Sequence, residues 1–166
     1  MLPAGAGRLI AIAVLLLARA APARAAPAAP LPPPGTVSLN GQWEFELDKT
    51  DSGLTRGFPL RPSFNHTIEV PGISIGAAGF GDATDQKHHE YTGISWFATN
   101  ITLPQSWGSR DGDENAATVS LRCGGVKNSA TFWLDGVAIG NHSGYMDGFE
   151  LPLPPAFAEA APTTAR

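Results

Sequence analysis

The feature that most limits what this chain can fold into is its periodicity. No window places apolar residues at a three-to-four-residue spacing, whereas several short stretches alternate with period two and stop at Gly or Pro. QWEFELD, from Gln42, sets Trp43, Phe45 and Leu47 on one face and Gln42, Glu44 and Glu46 on the other, the pattern of a strand with one wet side. HTIEVPG is a short strand closed by Pro71-Gly72. SWFATNITLP aligns Phe97, Ile101 and Leu103 and ends at Pro104, which lacks a ladder donor. ATVSLRC turns Val119, Leu121 and Cys123 inward. SATFWLD is apolar on both faces, as a strand covered from two sides is. Asp135-Gly136 then supplies the two positive-φ residues of a type I′ hairpin, with Phe132, Leu134, Val137 and Ile139 as the hairpin's core, and GFELPL forms a last strand. Short strands between Gly/Pro turns specify an all-β fold, a β-sandwich or jelly roll.

The ends of the chain read differently. Leu9–Ala20 is an apolar run behind a single Arg8, followed by small-residue cleavage patterns at Ala18-Arg19-Ala20 and Ala23-Arg24-Ala25. That layout predicts a signal peptide over residues 1–25 and a secreted or lumenal protein. An organelle transit peptide is the alternative, because the first 43 residues hold Arg but no acid. The run is shorter than the about 20 residues that span a bilayer, so no membrane span is expected. Residues 26–35 form an Ala/Pro-rich linker, residues 36–153 the folded domain, and residues 154–166 an Ala/Pro/Thr tail expected to be disordered. A domain of that size buries roughly two-thirds of its extended-chain surface.

Net charge is −4 with no Lys/Arg cluster, which argues against a nucleic-acid partner. A single cysteine, Cys123, excludes an intrachain disulfide framework. Three of the six asparagines, Asn65, Asn100 and Asn141, begin Asn-X-Ser/Thr sequons and are candidate glycosylation sites.

Four pieces in order, SLNGQWEFELD, IEVPG, YTGISWFATNITLP and LRCGGVKNSATFWLDGVAIGNHSGYMDGFELPL, resemble the N-terminal sugar-binding domain of glycoside hydrolase family 2, the family of β-galactosidases, β-glucuronidases and β-mannosidases. The resemblance implies a galactose-binding-domain-like jelly roll. Its partners there are an immunoglobulin-like domain and a (β/α)₈ barrel that carries two catalytic glutamates. A retaining glycosidase needs two carboxyl groups about 5 Å apart. The family's acid/base glutamate follows an asparagine, and this sequence contains no Asn-Glu dipeptide. A barrel takes about 250 residues, more than the sequence holds. The implied role is therefore a non-catalytic module of a secreted family 2 glycosidase, inactive alone, with the domain's closing strands expected to be missing after FELPL. A free-standing carbohydrate-binding or adhesion module is the alternative.

Candidate sugar contacts are His142, Tyr145 and Asp147 in the Gly-rich bend 141–148, Glu90 in KHHEYTG, and Trp107, the tryptophan placed in a loop. The bland reading of the bend is a strand crossover whose glycines permit positive φ. Glu90 stands about where family members have an asparagine that faces the sugar. His88, His89 and Glu90 do not make a metal site, since adjacent residues of an extended chain point apart and no third ligand has the spacing. The acids of SRDGDEN fall short of a calcium loop, so neither metal nor cofactor is expected. Glu44 and Glu46 are read as a solvated strand face rather than a catalytic pair, and Cys123 as a small hydrophobe.

Overall fold

The computed structural model describes residues 6–15, 35–72, 91, 93–104, 107, 119–145 and 147–159. Eight strands appear among them: β1 (Ala6–Leu15), β2 (Gly41–Asp48), β3 (His66–Val70), β4 (Gly93–Thr102), β5 (Ser120–Cys123), β6 (Asn128–Leu134), β7 (Val137–Gly144) and β8 (Phe149–Pro152). A 3-10 turn covers Phe58–Leu60, and one short helix, α1, covers Pro155–Glu159. Six strands form one sheet in the order β3-β2-β4-β1-β6-β7, and β5 and β8 pair as a second sheet. Every ladder is antiparallel. The all-β sandwich expected from the alternation is what the chain forms.

The larger sheet is covered on both faces. Towards β5 and β8, Leu9, Ala11, Trp43, Ile101, Phe132 and Leu134 pack with Leu121, Leu153 and Phe157. On the opposite face Ile10, Trp96 and Ala98 pack beneath Phe58 and Phe64 from the segment between β2 and β3. Phe58 meets Trp96 edge-on at 5.4 Å between centroids, and Trp133 lies 5.3 Å from Trp96. Such contacts between tilted aromatic rings add to the area they bury. The second covering layer is held by Asp48. Its carboxylate is buried and accepts the backbone N–H groups of Ser52 at 2.9 Å and Gly53 at 2.7 Å, together with the Trp96 indole N–H at 3.1 Å.

Four features depart from the sequence reading. The face of β2 carrying Glu44 and Glu46 is not a wet face, because the chain from Ser52 to Asn65 folds across it. Glu44 accepts the Phe64 N–H at 2.8 Å, and Glu46 accepts the Asn65 N–H at 3.3 Å. Val137, expected in the hairpin core, is 62% exposed. The register slips after Phe132, which pairs with Gly140 while Trp133 pairs with Ala138, so the extra residue is Ile139 and the pairing at the end of the hairpin is irregular. Residues 155–159, assigned to an unstructured tail, form α1, whose Phe157 is buried.

The fourth departure is at the N-terminus. Residues 6–15, which the sequence reading gave to a leader, form strand β1 in the middle of the larger sheet. It pairs with β4 over Ala6–Leu15 and with β6 over Leu9–Val14. Leu9 and Ile10 are fully buried, on opposite faces. A hydrophobic run without polar interruptions suits a strand buried on both sides as well as it suits a leader, and periodicity does not separate the two.

Candidate functional site

The bend after β7 brings three of the sequence-predicted residues to one edge of the sandwich. The hairpin that leads to it turns at Asp135, φ 48°, and Gly136, φ 81°, the two positive-φ positions of the type I′ turn. From there β7 carries His142 back along β6, opposite Ala130. The His142 imidazole stacks on Phe149 of β8 with centroids 4.0 Å apart and planes 12° apart. Its Nε2 is buried and has no hydrogen-bond partner. Asp147 is exposed, and both it and His142 border Gly144: a Cβ built there falls 2.7 Å from His142 Nε2 and 3.3 Å from Asp147 Oδ2. Tyr145 is 56% exposed, and the Lys127 ammonium lies 5.4 Å from its ring centroid, so a cation–π contact fixes the ring at the rim. An imidazole, a phenol, a carboxylate and an ammonium thus gather where β7 crosses to β8. That set donates and accepts hydrogen bonds and offers an aromatic face, which is the chemistry a sugar hydroxyl and ring require.

The other candidates go elsewhere. Trp107 is half-buried and packs against the main core, and its backbone N–H donates to the Pro104 carbonyl at 2.9 Å. Glu90, with His88 and His89, lies outside the described residues. Asn65, Asn100 and Asn141 are all exposed. Asn65 Nδ2 donates to Glu46 Oε1 at 3.3 Å, and Asn100 Oδ1 accepts from Arg8 at 3.4 Å. Among the described residues no group of three or more His, Cys, Asp or Glu side chains is placed to hold a metal ion. No described helix is long and apolar enough to cross a membrane.

A second polar cluster was not visible in the sequence. Arg8 of β1 reaches across β4 to an ion pair with Glu44 of β2, and Arg61 lies 3.7 Å from Glu46. Burial alone raises the Glu44 carboxyl, but the Arg8 hydrogen bond, the Phe64 N–H and the Arg8 charge outweigh it and hold Glu44 below its ordinary value. A catalytic acid needs the opposite shift. Glu44 and Glu46 are therefore cross-ties between the sheet and the segment that covers it, not a glycosidase pair. Only long-range pairing of β1 with β4 could have revealed this cluster, since Arg8 and Glu44 lie 36 residues apart.

The strand order, the antiparallel ladders and the double-sided sheet define an all-β sandwich. Sequence and fold together match the N-terminal domain of glycoside hydrolase family 2, and the relatives found are β-glucuronidases. The dog enzyme is 31% identical over 123 residues, covering 69% of this chain and 17% of its own length. The rat enzyme is 29% identical over 136 residues, 77% of this chain and 19% of its own. Among solved structures, Lactobacillus rhamnosus β-glucuronidase superposes with a TM-score of 0.56 at 26% identity, covering 76% of this chain and 19% of the other. Ruminococcus gnavus β-glucuronidase in complex with D-glucuronic acid gives 0.56 at 25% identity over 70% of this chain and 18% of the other. No family model matches the chain. The chain thus spans less than a fifth of the length of these relatives.

Proposed function

We propose that this chain is the N-terminal, non-catalytic module of an exported family 2 glycoside hydrolase acting on β-glucuronides. The observation that carries the reading is the lopsided coverage: most of this chain matches, against 17–19% of each relative. The two carboxyl groups that such hydrolysis needs, about 5 Å apart across the glycosidic bond, then come from a barrel encoded elsewhere in the same enzyme. In that assembly the module packs beside the barrel and an immunoglobulin-like domain, and the His142–Asp147 crossover forms one wall of the approach to the sugar. Export is supported by the exposure of the three sequon asparagines, Asn65, Asn100 and Asn141.

The test is the size and activity of the natural gene product. An antibody to residues 37–153 should detect a band several times the 17.3 kDa of these 166 residues. The protein in that band should release aglycone from an aryl β-glucuronide and not from the matching β-galactoside. A band near 17 kDa with no hydrolysis refutes the reading and leaves a free-standing carbohydrate-binding module, to be tested by glycan binding.

A further inference from the structure

We infer that the gap between β4 and β6 is a strand-acceptor site and that Ala6–Leu15 is its donor. The inference rests on the sheet alone and is independent of the glucuronidase reading. Without β1 the larger sheet divides into β3-β2-β4 and β6-β7, and the facing edges of β4 and β6 each present unpaired N–H and C=O groups. The donor satisfies both at once, over ten residues of β4 and six of β6. In sequence it is followed by the Ala/Pro-rich stretch of residues 26–35.

The acceptor recognises more than an apolar extended chain. Asp135, at the tip of the β6–β7 hairpin, takes the Arg8 N–H on its Oδ1 at 3.0 Å, and its own N–H donates to the Arg8 carbonyl at 3.3 Å. The Arg8 guanidinium is bound by Glu44 and Asn100. Gly7 fits under Phe157 and Leu134, where a Cβ would stand 2.6 Å from the Phe157 ring and 2.9 Å from Leu134 Cδ1. Leu9 and Ile10 fill opposite faces of the sheet. Gly7, Arg8, Leu9 and Ile10 therefore read as a four-residue address: small, cationic, then one apolar side chain for each face. A one-residue slip would move every one of them to the wrong face. The same residues are those a leader peptidase would release after Ala20 or Ala25, so retention of the segment and completion of this sheet by it are one event, and its removal opens the site.

Hydrogen exchange on the full chain reads the first half of the inference. The amides of residues 9–14 should be slowed about a hundred-fold or more relative to a free peptide of that sequence, and they should open together with those of β4 and β6. Free exchange of residues 9–14 beside a protected β2–β4 ladder would overturn it. The second half needs the full chain with a protease recognition sequence inserted between residues 26 and 35. After nicking, the N-terminal fragment should co-elute with the body. A labelled synthetic peptide of residues 1–20 should exchange into the complex, and the same peptide with Arg8→Glu and Ile10→Asp should not. Equal exchange of both peptides, or immediate separation of the fragment from a still-folded body, would refute a specific acceptor.

Discussion

Removing the Asp48 carboxylate should separate the outer covering segment from the sheet, and the structure allows the cost to be worked out. Asp48 lies at the end of β2 and is 4% exposed. Its N–H donors include Ser52 and Gly53 of the following turn and the indole of Trp96, which is fully buried. In Asp48→Ala the Gly53 and Trp96 donors stay buried without an acceptor, at about 1–3 kcal/mol each, while the Ser52 N–H is reached by water. The expected loss is therefore about 2–6 kcal/mol, a large part of a small domain's stability. Asp48→Asn keeps the shape and one accepting oxygen but turns an NH₂ group towards the donors, and should lose about 1–3 kcal/mol. Urea denaturation of the full chain followed by tryptophan fluorescence measures both, and Trp96 beside the carboxylate is the reporter.

The pH dependence tests the cause. Burial by itself would raise the Asp48 carboxyl, but the hydrogen bonds from Ser52, Trp96, Gly53 and Thr50 prevail and hold it below its ordinary value of 3.8. Because the folded pKa is the lower one, the unfolded chain takes up the proton first as pH falls. The stabilisation is thus complete above about pH 5 and is lost as pH falls from there through the ordinary carboxyl value to the folded pKa. The gap in stability between the native chain and Asp48→Asn should shrink across that window. A gap that is the same at pH 6 and at pH 3.5 would refute the claim that the charge-assisted hydrogen bonds carry the effect.

Further substitutions follow from the same geometry. Gly136→Val should cost at least about 1–2 kcal/mol in urea unfolding, since φ is 81° there and a Cβ would meet Leu60 at 2.3 Å. If the variant unfolds like the native chain, the type I′ turn is wrong. Gly7→Val should lose about 1–3 kcal/mol or more by overpacking against Phe157 and Leu134, and Phe157→Ala introduced with it should recover part of that loss in the same assay. Glu44→Gln should destabilise measurably, whereas Glu150→Gln should stay within about 0.5 kcal/mol, because the Arg122–Glu150 pair is 81% and 58% exposed and that of Arg8 and Glu44 is 13% and 31%. Trp107→Ala should lower stability in urea denaturation through lost core packing.

What the sequence disclosed of this fold followed from locality. A period-two alternation and an Asp-Gly turn are decided within a few residues, so β2, β4, β6 and the hairpin tip are all legible, with Asp135 and Gly136 at the positive φ that the turn chemistry demands. The Glu44 and Glu46 face looked wet because what covers it is not a strand with a pattern of its own. It is a turn-rich segment whose Phe58 and Phe64 read as isolated aromatics until Asp48 and Trp96 fix where they land. The placement of the candidate residues was legible to the same degree. His142, Tyr145 and Asp147 come together because a short crossover obliges them to, whereas Trp107 stands in a loop by sequence and in the core by packing. At residues 6–15 that locality ends. An uninterrupted apolar run has no face, so nothing local tells a peptide that is bound for removal from a strand buried on both sides. The information lies far off in sequence, in the ladders of β4 and β6, one about 90 and the other about 120 residues further along the chain, with which the segment pairs in this structure. Arg8 makes that choice specific. At the head of a leader its charge needs no partner, whereas here Glu44 and Asn100 bind the side chain and Asp135 the backbone, and a segment lacking that charge would enter the same gap without its register being set.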